Sequence, residues 1–168
     1  LYQRNQNAPS TGPADTAGST LSMASKGKKD AGASRRNVAM SGTVLTVKAG
    51  ESIQAAVTLA KPGDTIQVMP GTYKETVFID KDNIAIVGVI VDGEWPLMDG
   101  EHKLNDAILY SGNGIRIENM KIIHFKGNAI MGQSGNNFVI RHNWIVDTGV
   151  YGIFPEFATN GLIEYNVI

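Results

Sequence analysis

The sequence predicts an all-β solenoid of parallel strands, about 23 residues per coil, with one short helix near its N-terminal end. Three observations carry that expectation. First, GIRIENMKII, NFVIRHNWIV and GLIEYNVI repeat one pattern: Ile117, Ile140 and Ile163 stand 23 residues apart, and so do Ile122, Ile145 and Ile168, and Ile130 and Ile153. A fixed period in the range of roughly 20 to 50 residues marks units that cannot bury their own apolar face and must stack. Second, apolar and polar residues alternate over short runs, as where Ile115 and Ile117 flank Arg116, which is strand spacing. Third, Gly or Asn interrupts every few residues, giving several short strands per repeat and no room for a helix inside it.

Stacked coils place like residues about 4.8 Å apart, so identical side chains form columns. The columns Ile117/Ile140/Ile163 and Ile122/Ile145/Ile168 are expected to face inward, each Ile worth roughly 1.5–3 kcal/mol on burial. Asn143 and Asn166 stack at a turn, where Asn is expected to adopt the left-handed conformation and bond its neighbours' backbone. Glu118, Arg141 and Glu164 form an outer column of alternating charge that favours this register over a slipped one.

In chain order, Leu1 to about Gly42 is rich in Ser, Thr, Ala, Gly and Asn and carries Lys26, Lys28, Lys29, Arg35 and Arg36. It offers too little apolar surface to offset ordering entropy, and reads as a flexible tether. The span 43–168 then reads as the N-terminal part of the solenoid, cut partway through a coil. Thr43–Val47 has strand character, and Ile53, Ala56, Val57 and Ala60 make one helix face. Ser52 is the expected N-cap, Glu51 suits the positive end of the helix dipole, and Pro62 with Gly63 stops the helix after Lys61. So short a helix needs docking to be stable, and the open end of the solenoid needs a cover.

Asp64–Met69, Val77–Ile79 and Ile84–Val91 supply the strands of the first coils. Matching Ile86 to Ile117 takes a step of 31, eight more than the period, and the surplus fits best as a loop within Asp92–Asp106 (DGEWPLMDGEHKLND). Insertions in a solenoid gather on one face, often the binding face, which makes Trp95 a ligand-contact candidate. Asp92, Asp99 and Glu101 are the only grouping there that suggests calcium, without the fixed oxygen-ligand spacing of known calcium loops. Otherwise no cofactor is indicated.

Over 168 residues the chain is 42% apolar with a net charge of −1, lengths and charges of a single domain with no electrostatic bias toward nucleic acid. Without Cys there are no disulfides or thiolate metal sites. No apolar run approaches the roughly 18 residues that a membrane span needs, and no signal peptide is evident. The chain is expected to be a monomer.

The columns of Gly114–Ile168 resemble the right-handed parallel β-helix of the pectin-lyase-like superfamily, and the resemblance extends over most of Thr43–Ile168. GESIQAAVTLAKPGDTIQVMPGTYKETVFI (Gly50–Ile79) is similar to the opening segment of such proteins, in which a helix closes the N-terminal end and the PGDTI and PGTY turns begin the first coil. DTGVYGIFPEFATNGLIEYN (Asp147–Asn166) resembles coils of bacterial parallel β-helix repeat proteins. The superfamily includes pectate and alginate lyases, polygalacturonases, mannuronan C-5 epimerases, copper-maturation accessory proteins and phage adhesins. The resemblance implies a fold and an extracellular or periplasmic setting, and leaves function to the site.

Lyases and epimerases of this kind neutralise a uronate carboxylate and move the C5 proton, which asks for Arg, Lys, Tyr, His or an acid on one outer face. Arg141, Tyr151 and Glu156 are the catalytic candidates, and His142, Trp144, Asp147 and Trp95 the substrate-binding ones; no protein-bound metal is expected among them. His124 shares a column with Asp147, and Asn119, His142 and Tyr165 share another. Tyr151-Gly152-Ile153-Phe154-Pro155-Glu156 is similar to the Tyr-Gly-Phe-Asp-Pro-His motif of mannuronan epimerases at Tyr151, Gly152 and Pro155, with Phe154 and Glu156 in place of its Asp and His. The expectation is therefore an exported protein that binds, and in one version processes, an acidic polysaccharide. The alternative is a non-catalytic scaffold, adhesin-like or of the copper-maturation accessory type.

Overall fold

The structure, a computed structural model, describes residues 42–168; the proposed tether and its basic cluster lie outside the described residues. Its strands are short because each coil turns after three or four residues, at most corners through a residue of positive φ. In order they are β1 (Val44–Val47), β2 (Thr65–Val68), β3 (Gly71–Tyr73), β4 (Val77–Ile79), β5 (Ala85–Gly88), β6 (Pro96–Asp99) and β7 (Ile108–Tyr110), followed by β8 (Arg116–Glu118), β9 (Lys121–Ile123), β10 (Ile130–Gln133), β11 (Val139–Arg141), β12 (Trp144–Val146), β13 (Ile153–Glu156) and β14 (Leu162–Glu164). One helix, α1 (Ile53–Leu59), lies between β1 and β2. Every strand pairing is parallel, and about five turns stack into three sheets: A (β1-β2-β5-β8-β11-β14), B (β3-β6-β9-β12) and C (β4-β7-β10-β13).

The inward columns form as the periodicity requires except at their last members: Ile163 and Ile168, expected to face inward, are 46% and 72% exposed in the final coil, where no further coil covers them. Leu45, Ile66, Ile86, Ile117, Ile140 and Ile163 pair in succession along sheet A, and Tyr73, Met98, Ile122 and Ile145 along sheet B. Ile66, Ile86, Ile117, Ile122 and Ile140 are fully buried. The expected step of 31 is present in the pairing of Ile86 with Ile117, but its surplus is distributed otherwise than expected. Pro96–Asp99, inside the expected loop, is strand β6, held between β3 and β9. Most of the extra length precedes it, at the corner joining sheets A and B, where Val91 and Glu94 pair across an Asp92-Gly93 turn with φ of 51° and 83°. Gly71–Tyr73, expected as a turn, is likewise strand β3.

Three columns of left-handed residues make the corners: Asn83, Gly114, Asn137 and Asn160 before sheet A; Asn119, His142 and Tyr165 between A and B; Glu101, His102, His124 and Asp147 after B. Asn143 and Asn166 are not among them, which corrects the expected left-handed role. Their work is hydrogen bonding one residue later. Asn143 Oδ1 accepts from Met120 N–H and its Nδ2 donates to the Ile117 carbonyl, while Asn166 repeats the pattern with Asn143 N–H and the Ile140 carbonyl, all at 3.0–3.1 Å. Parallel ladders run through Asp82, Asn113, Asn136 and Thr159, and through Asp106, Asn128 and Tyr151.

Helix α1 takes the place of the B and C strands in the first turn. It buries Ile53 and Val57 and is capped by Ser52, whose Oγ accepts from Ala55 N–H at 3.1 Å. The dipole position expected for Glu51 belongs instead to Glu75; Glu51 accepts from Lys48 N–H. The helix ends at Leu59, with Ala60 as C-cap, before the expected Lys61. Gln54 closes the edge of sheet C: its Oε1 accepts from Phe78 N–H and its Nε2 donates to the Phe78 carbonyl, so one amide side chain stands in for a further strand.

Candidate functional site

The outer face of sheet B is where the chain gathers aromatic and charged side chains. In β6, β9 and β12 the middle or alternate residues Met98, Ile122 and Ile145 point inward, so Leu97, Lys121 and Trp144 form one outer column and Asp99, Ile123 and Val146 the next. Lys121 Nζ stands 3.9 Å from the centre of the Trp144 ring, a cation–π contact, and Trp95 meets the same ring edge-on at 6.0 Å. At the corner with sheet A, the His142 ring lies flat on that of Tyr165, 5.2 Å apart and 10° from parallel. Both residues reach outward because the left-handed backbone there turns them away from the core.

At the opposite corner of sheet B a second group forms. His102, His124 and Asp147 come from three successive coils, all with positive φ, and one ligand atom from each lies within 4.8 Å of the others. The two imidazole rings are 4.5 Å apart, and their Nε2 atoms lie 3.8 and 3.9 Å from Asp147 Oδ2. His124 Nδ1 is 3.0 Å from Asp99 Oδ1, which also accepts from the Glu101 N–H at 2.9 Å. Burial works to raise the Asp99 carboxyl, but the Glu101 N–H, His124 and Lys74 outweigh it and hold it below the usual carboxylate range. Glu101 is itself drawn down by its 2.7 Å hydrogen bond to Lys74.

These positions divide the expected site residues. Trp95, Trp144, His142 and Asp147, the substrate-binding candidates, all border or stand on sheet B. The catalytic candidates do not come together. Arg141 is on sheet A, its Nε 2.5 Å from Glu118 Oε1 and its Nη1 3.8 Å from Glu164 Oε1, in the charge ladder. Arg116 reaches the same buried Glu118 at 2.8 Å. Glu156 ends β13 on sheet C, and Tyr151 precedes that strand with its ring 4.9 Å from Phe154. The calcium candidates are engaged elsewhere: Glu101 by Lys74 and Lys103 and Asp99 by His124, while Asp92 lines a groove with Thr46, Lys48 and Met69.

Sequence reasoning passed over Lys121 and the grouping of His102 with His124. Lys121 was legible as the residue 23 before Trp144, and His102 as the residue 22 before His124. No family model matches this chain, and no curated protein or solved structure shows significant similarity to it. What the geometry defines is therefore the class, a parallel β-solenoid. Among the described residues, no helix is long and apolar enough to cross a membrane.

Proposed function

We propose that this chain is an exported, right-handed β-helix of the pectin-lyase-like kind that binds an acidic polysaccharide along the outer face of sheet B. The observation that carries this reading is the strip formed by Trp95, Trp144 and Lys121, extended at the corner by His142 and Tyr165. Aromatic faces suit the apolar faces of sugar rings, and a lysine held among them supplies a point charge for a uronate carboxylate. A column that runs along the coil axis also fits an extended chain better than a compact ligand. Binding is the part of the expectation this favours. Arg141 stands on sheet A, away from Tyr151 and Glu156 at sheet C, and is engaged by two carboxylates, an arrangement that favours an adhesin-like scaffold over a lyase or epimerase.

Intrinsic fluorescence tests the reading directly, because Trp95 and Trp144 are the only tryptophans in the chain. Titration with polygalacturonate or alginate is expected to change the emission, dextran is not, and Trp144→Ala should weaken binding at least tenfold. Lys121→Ala should reduce its salt dependence. Equal response to dextran, or none to either polyuronate, would overturn the proposal. Release of unsaturated product would restore the enzymatic version.

A further inference from the structure

We propose that His102, His124 and Asp147 form a binding site for a divalent transition-metal ion of the zinc class, with Asp99 as the positioning residue that orients His124. The argument rests on which atoms face one another. Asp99, an acceptor only when ionised, takes the hydrogen on His124 Nδ1. His124 Nε2 is then left with its lone pair, 3.9 Å from a carboxylate oxygen of Asp147 that is also an electron-pair donor. His102 Nε2 adds a third such atom in the tautomer that carries its hydrogen on Nδ1. In that tautomer three donors of electron pairs converge with no hydrogen to share between them, an arrangement that a cation satisfies. A carboxylate behind the imidazole is the usual second support of a metal-binding histidine.

The distances suit this assignment. Two ligands on one zinc ion at bonds of about 2.0–2.2 Å stand about 3–3.5 Å apart, and the Nε2 atoms are 3.8 and 3.9 Å from Asp147 Oδ2. Closing the difference takes a small rotation of His102 and Asp147, whose side chains are exposed. Two imidazoles and one carboxylate select zinc, nickel or copper(II) over calcium or magnesium, which prefer oxygen. Three protein ligands leave at least one coordination position to solvent. Nothing in this site depends on the polysaccharide reading.

The test uses the full chain and Zn2+ alone, by calorimetry. One equivalent should bind, Ca2+ should not displace it, and His102→Ala and Asp147→Asn should each weaken binding at least tenfold. Asp99→Asn should weaken it by about 10- to 100-fold, the range for loss of a supporting partner. His142→Ala, which removes the chain's remaining histidine, should leave it unchanged. With Cu2+ as a paramagnetic probe, nitrogen couplings from two imidazoles should fall to one in His102→Ala. Circular dichroism confirms that each variant is folded, and His102→Ala, at an exposed corner, is the variant least exposed to that objection. Absence of saturable Zn2+ binding, binding that survives His102→Ala and Asp147→Asn, or binding lost in His142→Ala would each overturn the site.

Discussion

Glu75 and Lys81, on either side of β4, take opposite ends of α1. The Glu75 carboxylate accepts from Ser52 Oγ and from the Ile53 and Gln54 N–H groups at 2.7–3.1 Å, and the Lys81 ammonium donates to the Val57, Thr58 and Ala60 carbonyls at 2.7–2.9 Å. Each charge opposes the helix partial charge it faces and satisfies groups that the helix itself leaves unpaired. A helix of seven residues is marginal alone, so these contacts and the burial of Ile53 and Val57 decide whether it docks. Lys81→Met and Glu75→Gln are each expected to lower stability by about 1–3 kcal/mol in urea unfolding. The exposed Lys126→Met should change it little, and a Lys81→Met variant equally unaffected would detach Lys81 from the helix.

Asn143 is 1% exposed and serves two coils at once. Removing its amide leaves the Met120 N–H and the Ile117 carbonyl without this partner, in a place water does not reach. Asn143→Ala is therefore expected to cost about 2–4 kcal/mol, taking 1–3 for each buried group left unsatisfied. Asn136→Ala, in the more accessible ladder, should cost less than half as much. Denaturant midpoints of equal size would show that the two ladders contribute alike.

Tyr110 sits wholly inside the solenoid, and its hydroxyl finds no protein partner. Burial pushes its pKa far above the ordinary tyrosine value. Tyr110→Phe is expected to raise stability by about 1 kcal/mol, since it removes a desolvated hydroxyl and keeps the ring. The neighbouring coil accommodates that ring through Gly132, where an added Cβ would lie 2.5 Å from the Tyr110 ring and hydroxyl. Gly132→Ala should thus be destabilising in the parent and less so in Tyr110→Phe, a coupling that a double-mutant cycle reads directly.

Asp64 ties the start of sheet A to the end of α1: its two carboxylate oxygens accept from Thr43 and Lys61 N–H at 2.8 Å each. Those backbone hydrogen bonds, Lys61 first and Thr43 second, lower its pKa from the ordinary value. The sign follows from the depressed folded-state pKa. The contribution to stability is fully present above the unfolded-state value of about 3.9 and is lost as pH falls through the lower folded-state value. Asp64→Asn, which leaves one acceptor where two are used, should be less stable than the parent at neutral pH. The gap should narrow below about pH 4, and a gap independent of pH from 7 to 2.5 would contradict the assignment.

The columns from Gly114 onward were legible because like residues recur at one interval, and an interval survives any uncertainty about where strands end. The first coils were harder. Pro96–Asp99 sits among Gly, Asp and Glu that ordinarily announce a loop, and its strand exists only because β3 and β9 pair with it on both sides. Column position also says which coil a residue belongs to more readily than which sheet. Arg141 and Tyr151 are ten residues apart in sequence, yet a coil turns through two corners in that span and sets Arg141 on sheet A and Tyr151 just ahead of sheet C. His102 escaped notice because the inserted residues displace it from the 23-residue interval, and only the left-handed pair Glu101-His102 returns it to the corner of His124 and Asp147.

The column from Leu45 to Ile163 keeps its pairing while successive coils from Ile66 span 20, 31, 23 and 23 residues. Phase belongs to the strands, and length belongs to the corners. Selection acting on the Asp92-Gly93 hairpin beside Trp95 can therefore lengthen, shorten or rewrite what that corner displays, without touching a single buried isoleucine. The outer edge of this molecule is free to diverge at a rate its interior does not share.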